Sequence, residues 1–372
     1  MEKWQIIAAV AAVLVLAAAV AAYIGVTVMH RRQERERIGS ACAPLAGDTI
    51  FVMLTPCADP YAAADTVASV FERATCPLRV YIGMFEVYNP QSHTSVVDEY
   101  ELRTKFSKAP FCLKDHVRVI RVPVEENRGI LAACEQVERH LYKGEKYVAT
   151  MAVGVEVAQD WDAYCVDTLR TAAAAAKTDR LVLTSMCAAA AADTTQPGTY
   201  CGLHDTGALL GYRLKHMAAK VVPALAWSAM FSFAPAMRLK ELPYERHPDT
   251  HPDGMDAVVH DTYMTVRLLQ AGWALRHPAG AVVGWTRDGE VAPTGYGSRK
   301  WRQAMQAVNR NRAAGPVCAY MGIVSAAATQ VHLSARARLG LTPQAEETEL
   351  IAKVGSMGEY LSVLSRLELQ KQ

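Results

Sequence analysis

An uncharged run from Ile6 to Met29 (IIAAVAAVLVLAAAVAAYIGVTVM) constrains this chain more than any other feature. As a helix at about 1.5 Å per residue the run reaches roughly 36 Å, enough for a hydrocarbon core of about 30 Å. It has no polar face to turn toward water and it ends abruptly in His30-Arg31-Arg32, so the sequence predicts one membrane-spanning anchor. A cleaved signal peptide is the alternative, because Ala17 to Ala22 offers small-residue cleavage sites. The run, however, exceeds the usual apolar core of such peptides, about 7–15 residues.

Charges beside the span bear on orientation. Arg31, Arg32, Arg35 and Arg37 follow it, interleaved with Glu34 and Glu36, whereas only Lys3 and the amino terminus precede it. The positive-inside rule then keeps the following body in the cytosol. The nine cysteines are an odd number, scattered and without a CxxC pair, which indicates neither a zinc site nor a disulfide framework and suits reduced thiols. A lumenal body with some of them paired stays open. A formal net charge of +2 and no lysine-rich stripe with interleaved aromatics give no reason to expect a nucleic-acid partner.

Past the anchor the residues divide into an amino-terminal tip (1–5), the span (6–29), a charged stalk (30–47), one large domain (48–312) and a mostly helical extension (313–372). Thr49 to Leu54 (TIFVML), Leu78 to Phe85 (LRVYIGMF), His116 to Val122 (HVRVIRV) and Tyr147 to Val157 (YVATMAVGVEV) read as strands. Helical spacing falls between them at Ala62 to Arg73 and Gly129 to Leu141, and after them comes a helix through Ala176 and a strand at Arg180 to Ser185. The alternation predicts an α/β fold around a mostly parallel sheet, with ligands at the carboxyl ends of its strands. Cys187 to Gly207 reads as a loop or excursion and Pro243 to Gly254 as a second loop, while Asp256 to Gln270 reads as an amphipathic helix stopped by Gly272.

Several segments together carry a family resemblance. They are IFVMLTPCADP at Ile50 to Pro60, RVYIGMFE at Arg79 to Glu86, HVRVIRVPVEENRG at His116 to Gly129 and LYKGEKYVATMAVGVEVAQDWD at Leu141 to Asp162. FSFAP at Phe231 to Pro235, ELPYE at Glu241 to Glu245 and RLLQAGWALRHP at Arg267 to Pro278 complete the series. In order and spacing the chain resembles the polypeptide N-acetylglucosaminyltransferase-like glycosyltransferases, whose cytosolic members sugar a hydroxyproline. The resemblance implies a GT-A type nucleotide-sugar fold, a UDP-sugar donor, a protein hydroxyl as acceptor and a divalent cation, manganese or magnesium, to neutralise the leaving diphosphate.

The departures from that family matter as much. Its Asp-Ser-His ligand triplet falls on Ala152, Val153 and Gly154, and the histidine of its closing motif falls on Val283, none of which has a ligand atom in its side chain. Its Gly-Glu-Glu becomes Val259, His260 and Asp261, keeping one carboxylate as the candidate catalytic group. Asp59, Arg128 and Arg287 match positions expected to meet the nucleotide sugar, Asp59 through the base or ribose and Arg128 through a phosphate. Asp160-Trp161-Asp162 spells a D-x-D pattern that offers substitute metal ligands; the competing account is a solvent-facing Asp160 and an Asp162 that caps the next helix. Loss of charge neutralisation costs several kcal/mol of transition-state stabilisation, at about 1.4 kcal/mol per decade of rate. Two functions therefore follow: a weak or altered transferase, or an inactive relative that binds a glycan, a nucleotide sugar or a protein.

Overall fold

Helix and strand alternate from the start of the chain. In order they are α1 (Glu2–Cys42), β1 (Ile50–Cys57), α2 (Pro60–Glu72), β2 (Val80–Tyr88), α3 (Val96–Phe106), β3 (Val117–Pro123), α4 (Ile130–Leu141), β4 (Tyr147–Met151), β5 (Val155–Val157) and α5 (Trp161–Ala176). They continue with β6 (Leu181–Ser185), β7 (Gly198–Leu203), β8 (Leu209–Arg213), β9 (Val222–Pro223), β10 (Phe231–Pro235), α6 (Met237–Glu241), β11 (Ala274–His277) and β12 (Val283–Trp285). This computed structural model describes residues 2–45, 47–57, 59–88, 91, 94–106, 114–123, 126, 130–186, 198–203, 209–213, 221–224, 227–244, 260–261, 264–265, 267–268 and 271–285.

Among the described residues an eight-stranded sheet runs in the order β3-β2-β1-β4-β10-β6-β11-β9. The pairs β2–β3, β1–β2, β1–β4 and β6–β11 are parallel; β10 is antiparallel to both β4 and β6, and β9 to β11. Alternation along β1 explains how both faces are covered. Ile50, Val52 and Leu54 join one buried cluster while Phe51 and Met53 join the other, as expected for a parallel strand with helices on both sides. The first cluster takes Ala63, Val67 and Val70 of α2 with Trp161, Cys165 and Leu169 of α5; the second takes Leu131, Cys134 and Val137 of α4. Gly83 of β2 makes room for that second layer: a Cβ there would lie 2.3 Å from Phe51 Cζ and 3.1 Å from Val137 Cγ1.

Three expectations need correction. The single strand expected over Tyr147 to Val157 is broken after Met151 by a turn, with Gly154 at φ +85°, and the second half leaves the main sheet as β5 to pair antiparallel with β12. The stretch Cys187 to Gly207 is not all loop, because Gly198–Leu203 pairs with Leu209–Arg213 in a hairpin. The cysteines are not all reduced either: Cys42 is bonded to Cys76. A separation of 34 residues gave no sequence signal for that pair. The two meet because α1 runs on past its apolar stretch to end against the loop that precedes β2. Within α1, Val13 to His30 has a mean hydropathy of 2.1 and is nowhere buried, so the helix is long and apolar enough to cross a membrane. The extension from Ala313 and the loop from Glu245 to Gly254 lie outside the described residues.

At the amino-end edge of the sheet, charges are paired. Asp48, just before β1, accepts from Lys146 Nζ at 2.9 Å and Arg170 Nη2 at 2.7 Å. Burial pushes its carboxyl up, but these two cations outweigh that and hold it below the usual range.

Candidate active site

Parallel strands put their loops at one edge, and here that edge is formed by the carboxyl ends of β1, β2, β4 and β6 together with the start of antiparallel β10. Asp59 follows β1 there. It is exposed, and its Oδ1 accepts from the amides of Tyr61 at 3.0 Å and Ala62 at 3.1 Å, capping α2, whose first residue is Pro60. Glu86, near the end of β2, is buried and spent on the Val96 amide of α3 and on Arg121. Its carboxyl is raised, with desolvation as the main cause.

At the end of β4 the chain is held by backbone contacts. The Ala152 amide donates to the Met230 carbonyl at 3.2 Å, and the Gly154 amide donates to Thr66 Oγ1 of α2 at 2.9 Å. Ala152, Val153 and Val283 are all buried in the cluster shared with α2 and α5. Carboxylate or imidazole ligands are what a divalent cation on a diphosphate requires, and these positions supply only methyl groups and hydrogen. The residues present do not fit the cation that the family resemblance implies, and among the described residues no group of three or more His, Cys, Asp or Glu converges on one point.

Asp261 comes to this edge from the helix that ends at Gly272. His260, Asp261, Met264, Thr265, Arg267 and Leu268 are helical, and the Ala271 and Trp273 amides close the last turn on Arg267 and Leu268, with Gly272 at φ +76° as its expected role requires. Asp261 is 2% exposed, and its Oδ1 accepts from the Ala229 amide at 2.9 Å. One turn on, Thr265 Oγ1 donates to the Asp261 carbonyl and accepts from the Trp227 amide. Thr184 Oγ1, from β6, accepts from the Ser228 amide and donates to the Phe231 carbonyl. Three side chains, from Asp261, Thr265 and Thr184, thus clamp the Trp227–Met230 turn, whose last carbonyl holds Ala152. Asp261 and Ala152 share one edge, linked through two backbone positions.

His260 turns away from that edge into the core. Its Nε2 lies 3.1 Å from the Tyr244 hydroxyl, its ring meets Trp227 edge-on at 4.9 Å, and desolvation, assisted by the Arg238 charge, lowers its pKa to about 3. Full burial against Tyr244 and Trp227, not its charge state, keeps it from the surface where a metal ligand would have to lie. Burial likewise raises the Tyr244 hydroxyl well above its ordinary value.

The D-x-D pair lies at the opposite, amino-end edge. Asp160 sits at φ +57°, its amide bonded to the Arg73 carbonyl and its Oδ1 accepting from Thr75 Oγ1 at 2.9 Å. Asp162 is fully buried: Oδ1 accepts from the Thr75 amide at 2.7 Å, and Oδ2 accepts from the Cys76 amide at 3.1 Å and from Arg79 Nε at 2.9 Å. Arg73, Thr75 and Arg79 all precede β2, so the pair stands a strand's length from the carboxyl ends. As substitute metal ligands Asp160 and Asp162 are corrected to a structural role, because three N–H donors and the turn before β2 consume Asp162 entirely. Trp161 between them is a core residue, its Nε1 donating to the Val70 carbonyl. Arg128 and Arg287 lie outside the described residues. Sequence reasoning missed Thr184, Ser228 and Thr265, since short hydroxyl side chains carry no pattern until the turn they hold is known.

Comparison with solved structures finds likenesses of low identity. The mannosyltransferase PcManGT of Pyrobaculum calidifontis, solved with GDP-Man and Mn2+, is 12% identical, over 94% of this chain and 98% of that one, at a TM-score of 0.38. TarS of S. aureus, in complex with UDP, is 12% identical over 85% and 80%, at 0.39. Glucosyl-3-phosphoglycerate synthase of Mycobacterium tuberculosis, with phosphoglyceric acid, is 16% identical over 73% and 83%, at 0.37. No curated protein sequence matches. The family model "Glycosyltransferase (GlcNAc)" matches residues 91–330, well over half of the chain and including the β4 turn, Asp261 and Val283. The chain belongs to the glycosyltransferase (GlcNAc) family.

Proposed function

We propose that this chain is a membrane-anchored glycosyltransferase that moves N-acetylglucosamine, or another hexose, from a UDP-sugar to a protein hydroxyl, held in the membrane by residues 6–29. In that transfer the acceptor oxygen bonds to the anomeric carbon, the bond to the diphosphate oxygen breaks with its electron pair leaving on UDP, and the hydroxyl proton passes to a base. Asp261 is the assigned base. The observation that carries this reading is its placement: the one carboxylate kept from the family's acidic motif is fixed by the Ala229 amide on the turn that also holds the end of β4. Arg128 and Arg287 are assigned to the diphosphate and Asp59 to the nucleoside.

A specific observation favours a second reading, in which the body binds a nucleotide sugar, a glycan or a protein without transfer. Ala152, Val153, Gly154 and Val283 leave the developing charge on the diphosphate without its usual partner, a deficit of several kcal/mol in the transition state. One experiment separates the two. With the full chain in detergent, calorimetry is expected to show UDP binding of equal affinity with and without manganese. UDP-N-acetylglucosamine with a hydroxyl-bearing peptide should then release UDP, and Asp261→Asn should slow release by about 10²–10⁴-fold. Absence of UDP binding in both conditions sinks the nucleotide-sugar reading. Binding without release leaves the second reading standing.

A further inference from the structure

Two signals beside the span disagree about which side of the membrane the body occupies. Four arginines after the span argue for a cytosolic body. Against them stands the Cys42–Cys76 disulfide, which joins the end of α1 to the loop before β2. We infer that the body lies in an oxidising compartment, with the amino-terminal tip in the cytosol, and that this disulfide clasps the anchor helix to the amino-end edge of the sheet. The inference rests on the anchor reading proposed above.

The bond forms when two thiols give up two electrons and two protons to a disulfide-bearing oxidant of thiol–disulfide exchange. Such oxidants act in secretory and extracytosolic spaces, while cytosolic thiol pools run the reaction backward. A charge bias is a preference among orientations; a structural disulfide forms in oxidising compartments and is rare where thiol pools are kept reduced. The glutamates between the arginines temper the bias locally, with Arg32 Nε paired to Glu36 at 3.1 Å.

Three further features agree. Cys42 and Cys76 are 5% and 1% exposed, so the bond is sheltered from reductant once made. The other cysteines whose side chains are described, Cys134 and Cys165, are buried in the two core layers, and burial raises the Cys165 thiol well above its ordinary value, which keeps it from exchanging with the pair. Finally, Cys76 shares its turn with the Asp162–Arg79 pair: the Cys76 amide donates to Asp162 Oδ2. Roughly 18 Å of helix separates His30 from Cys42. The clasp makes that length a fixed strut, and it joins the sheet at the edge opposite Asp59, Ala152 and Asp261.

Thiol trapping in native membranes tests the bond. Membranes are denatured in N-ethylmaleimide, then reduced and treated with a maleimide-polyethylene glycol. Reduction is expected to expose the labels of Cys42 and Cys76, so the wild-type chain should gain two labels more than either Cys42→Ser or Cys76→Ser. Blocking of both cysteines in the wild-type chain before reduction overturns the inference, whatever the variants do. Orientation is read separately with a carboxyl-terminal tag in sealed vesicles: the tag is expected to survive protease until detergent is added, and its digestion in intact vesicles overturns the lumenal placement. Carbonate extraction distinguishes failure of the anchor itself. A protein released at alkaline pH that still carries the reducible bond refutes the span while leaving the oxidising compartment in place.

Discussion

At the amino-end edge of the sheet, acidic side chains are matched to cations and amides: Asp162 to Arg79, Thr75 and Cys76, and Asp48 to Lys146 and Arg170. Around the end of β4 and the start of β10 the described side chains are Ala152, Val153, Met230 and Val283, with Asp261 reaching in from a helix, while at the neighbouring strand ends Asp59 caps α2 and Glu86 is held by the Val96 amide and Arg121. The contrast inverts what the chemistry of diphosphate transfer calls for, since charge is concentrated where α1 ends against the sheet and thinned where a donor would bind. It teaches that a carboxylate pair visible in a sequence is assigned by topology. Asp160 and Asp162 are two residues apart and converge on Thr75, yet they lie beyond α2's carboxyl end, where they fasten loops together.

The largest effect that would sharpen this contrast comes from Asp162→Ala. It leaves Arg79, whose side chain is 1% exposed, as an uncompensated buried charge, and it strips acceptors from two amides. A loss of about 3–5 kcal/mol in urea denaturation is expected, with UDP affinity unchanged in whatever folded protein remains. An unchanged unfolding midpoint with a loss of manganese-dependent binding would instead return Asp162 to the metal and break the comparison. Next comes Ala152→Asp, which places a carboxylate at a 1% exposed position among Met151, Val153 and Val155. It should cost about 3 kcal/mol. Manganese should recover none of it; a midpoint that climbs with manganese concentration would mean that this edge can still seat a cation.

Much of the sheet was legible because its strands are buried on both faces and read as continuous apolar runs, as TIFVML and LRVYIGMF do. The break after Met151 was not, because Ala-Val-Gly is as apolar as a strand, and only the Gly154 amide bonded to Thr66 and a positive φ mark the turn. β10 was seen only as the motif FSFAP, since periodicity does not reveal that a strand inserts antiparallel between β4 and β6. In the candidate site the losses at Ala152 to Gly154 and Val283 were visible directly, and Asp261 was found through its place in the family's acidic motif. What Asp261 holds was invisible, because its partner is a backbone amide some thirty residues away. The disulfide was hidden for the same reason: Cys42 and Cys76 are brought together by where a helix stops.

Acid should find the side of the sheet where a buried base is neutral. With a folded pKa near 3 against an ordinary 6.5, His260 binds its proton in the unfolded chain first. Stability is therefore fully present above about pH 6.5 and is lost as pH falls toward 3. Around the ring stand Arg238 of α6, Tyr244 and Trp227, and Glu138 of α4 accepts from the Tyr244 amide. Between pH 6 and 4.5 the loss from this one group should come to about 2 kcal/mol, at about 1.4 kcal/mol per pH unit. Comparing denaturation slopes of the wild-type chain and His260→Gln isolates it from the carboxylates. Equal slopes would mean that the ring is reached by water and that this part of the core is not as dry as the amino-end edge is charged.

The smallest effect asks whether Asp59, exposed at the carboxyl-end edge, is more than a cap. Its Oδ1 serves the Tyr61 and Ala62 amides. Asp59→Ala should therefore cost about 1 kcal/mol, and Asp59→Ser, which keeps a capping oxygen, only a few tenths. If the carboxylate also accepts from the nucleoside, both variants should weaken UDP binding about tenfold, roughly 1.4 kcal/mol, because serine reaches the α2 amides but not a ligand beyond them. Calorimetry beside urea denaturation separates the two contributions. Equal UDP affinity across all three proteins, with stability lost only in the alanine variant, would make Asp59 one more acidic residue spent on the fold, and the carboxyl-end edge would then resemble the amino-end edge in this respect.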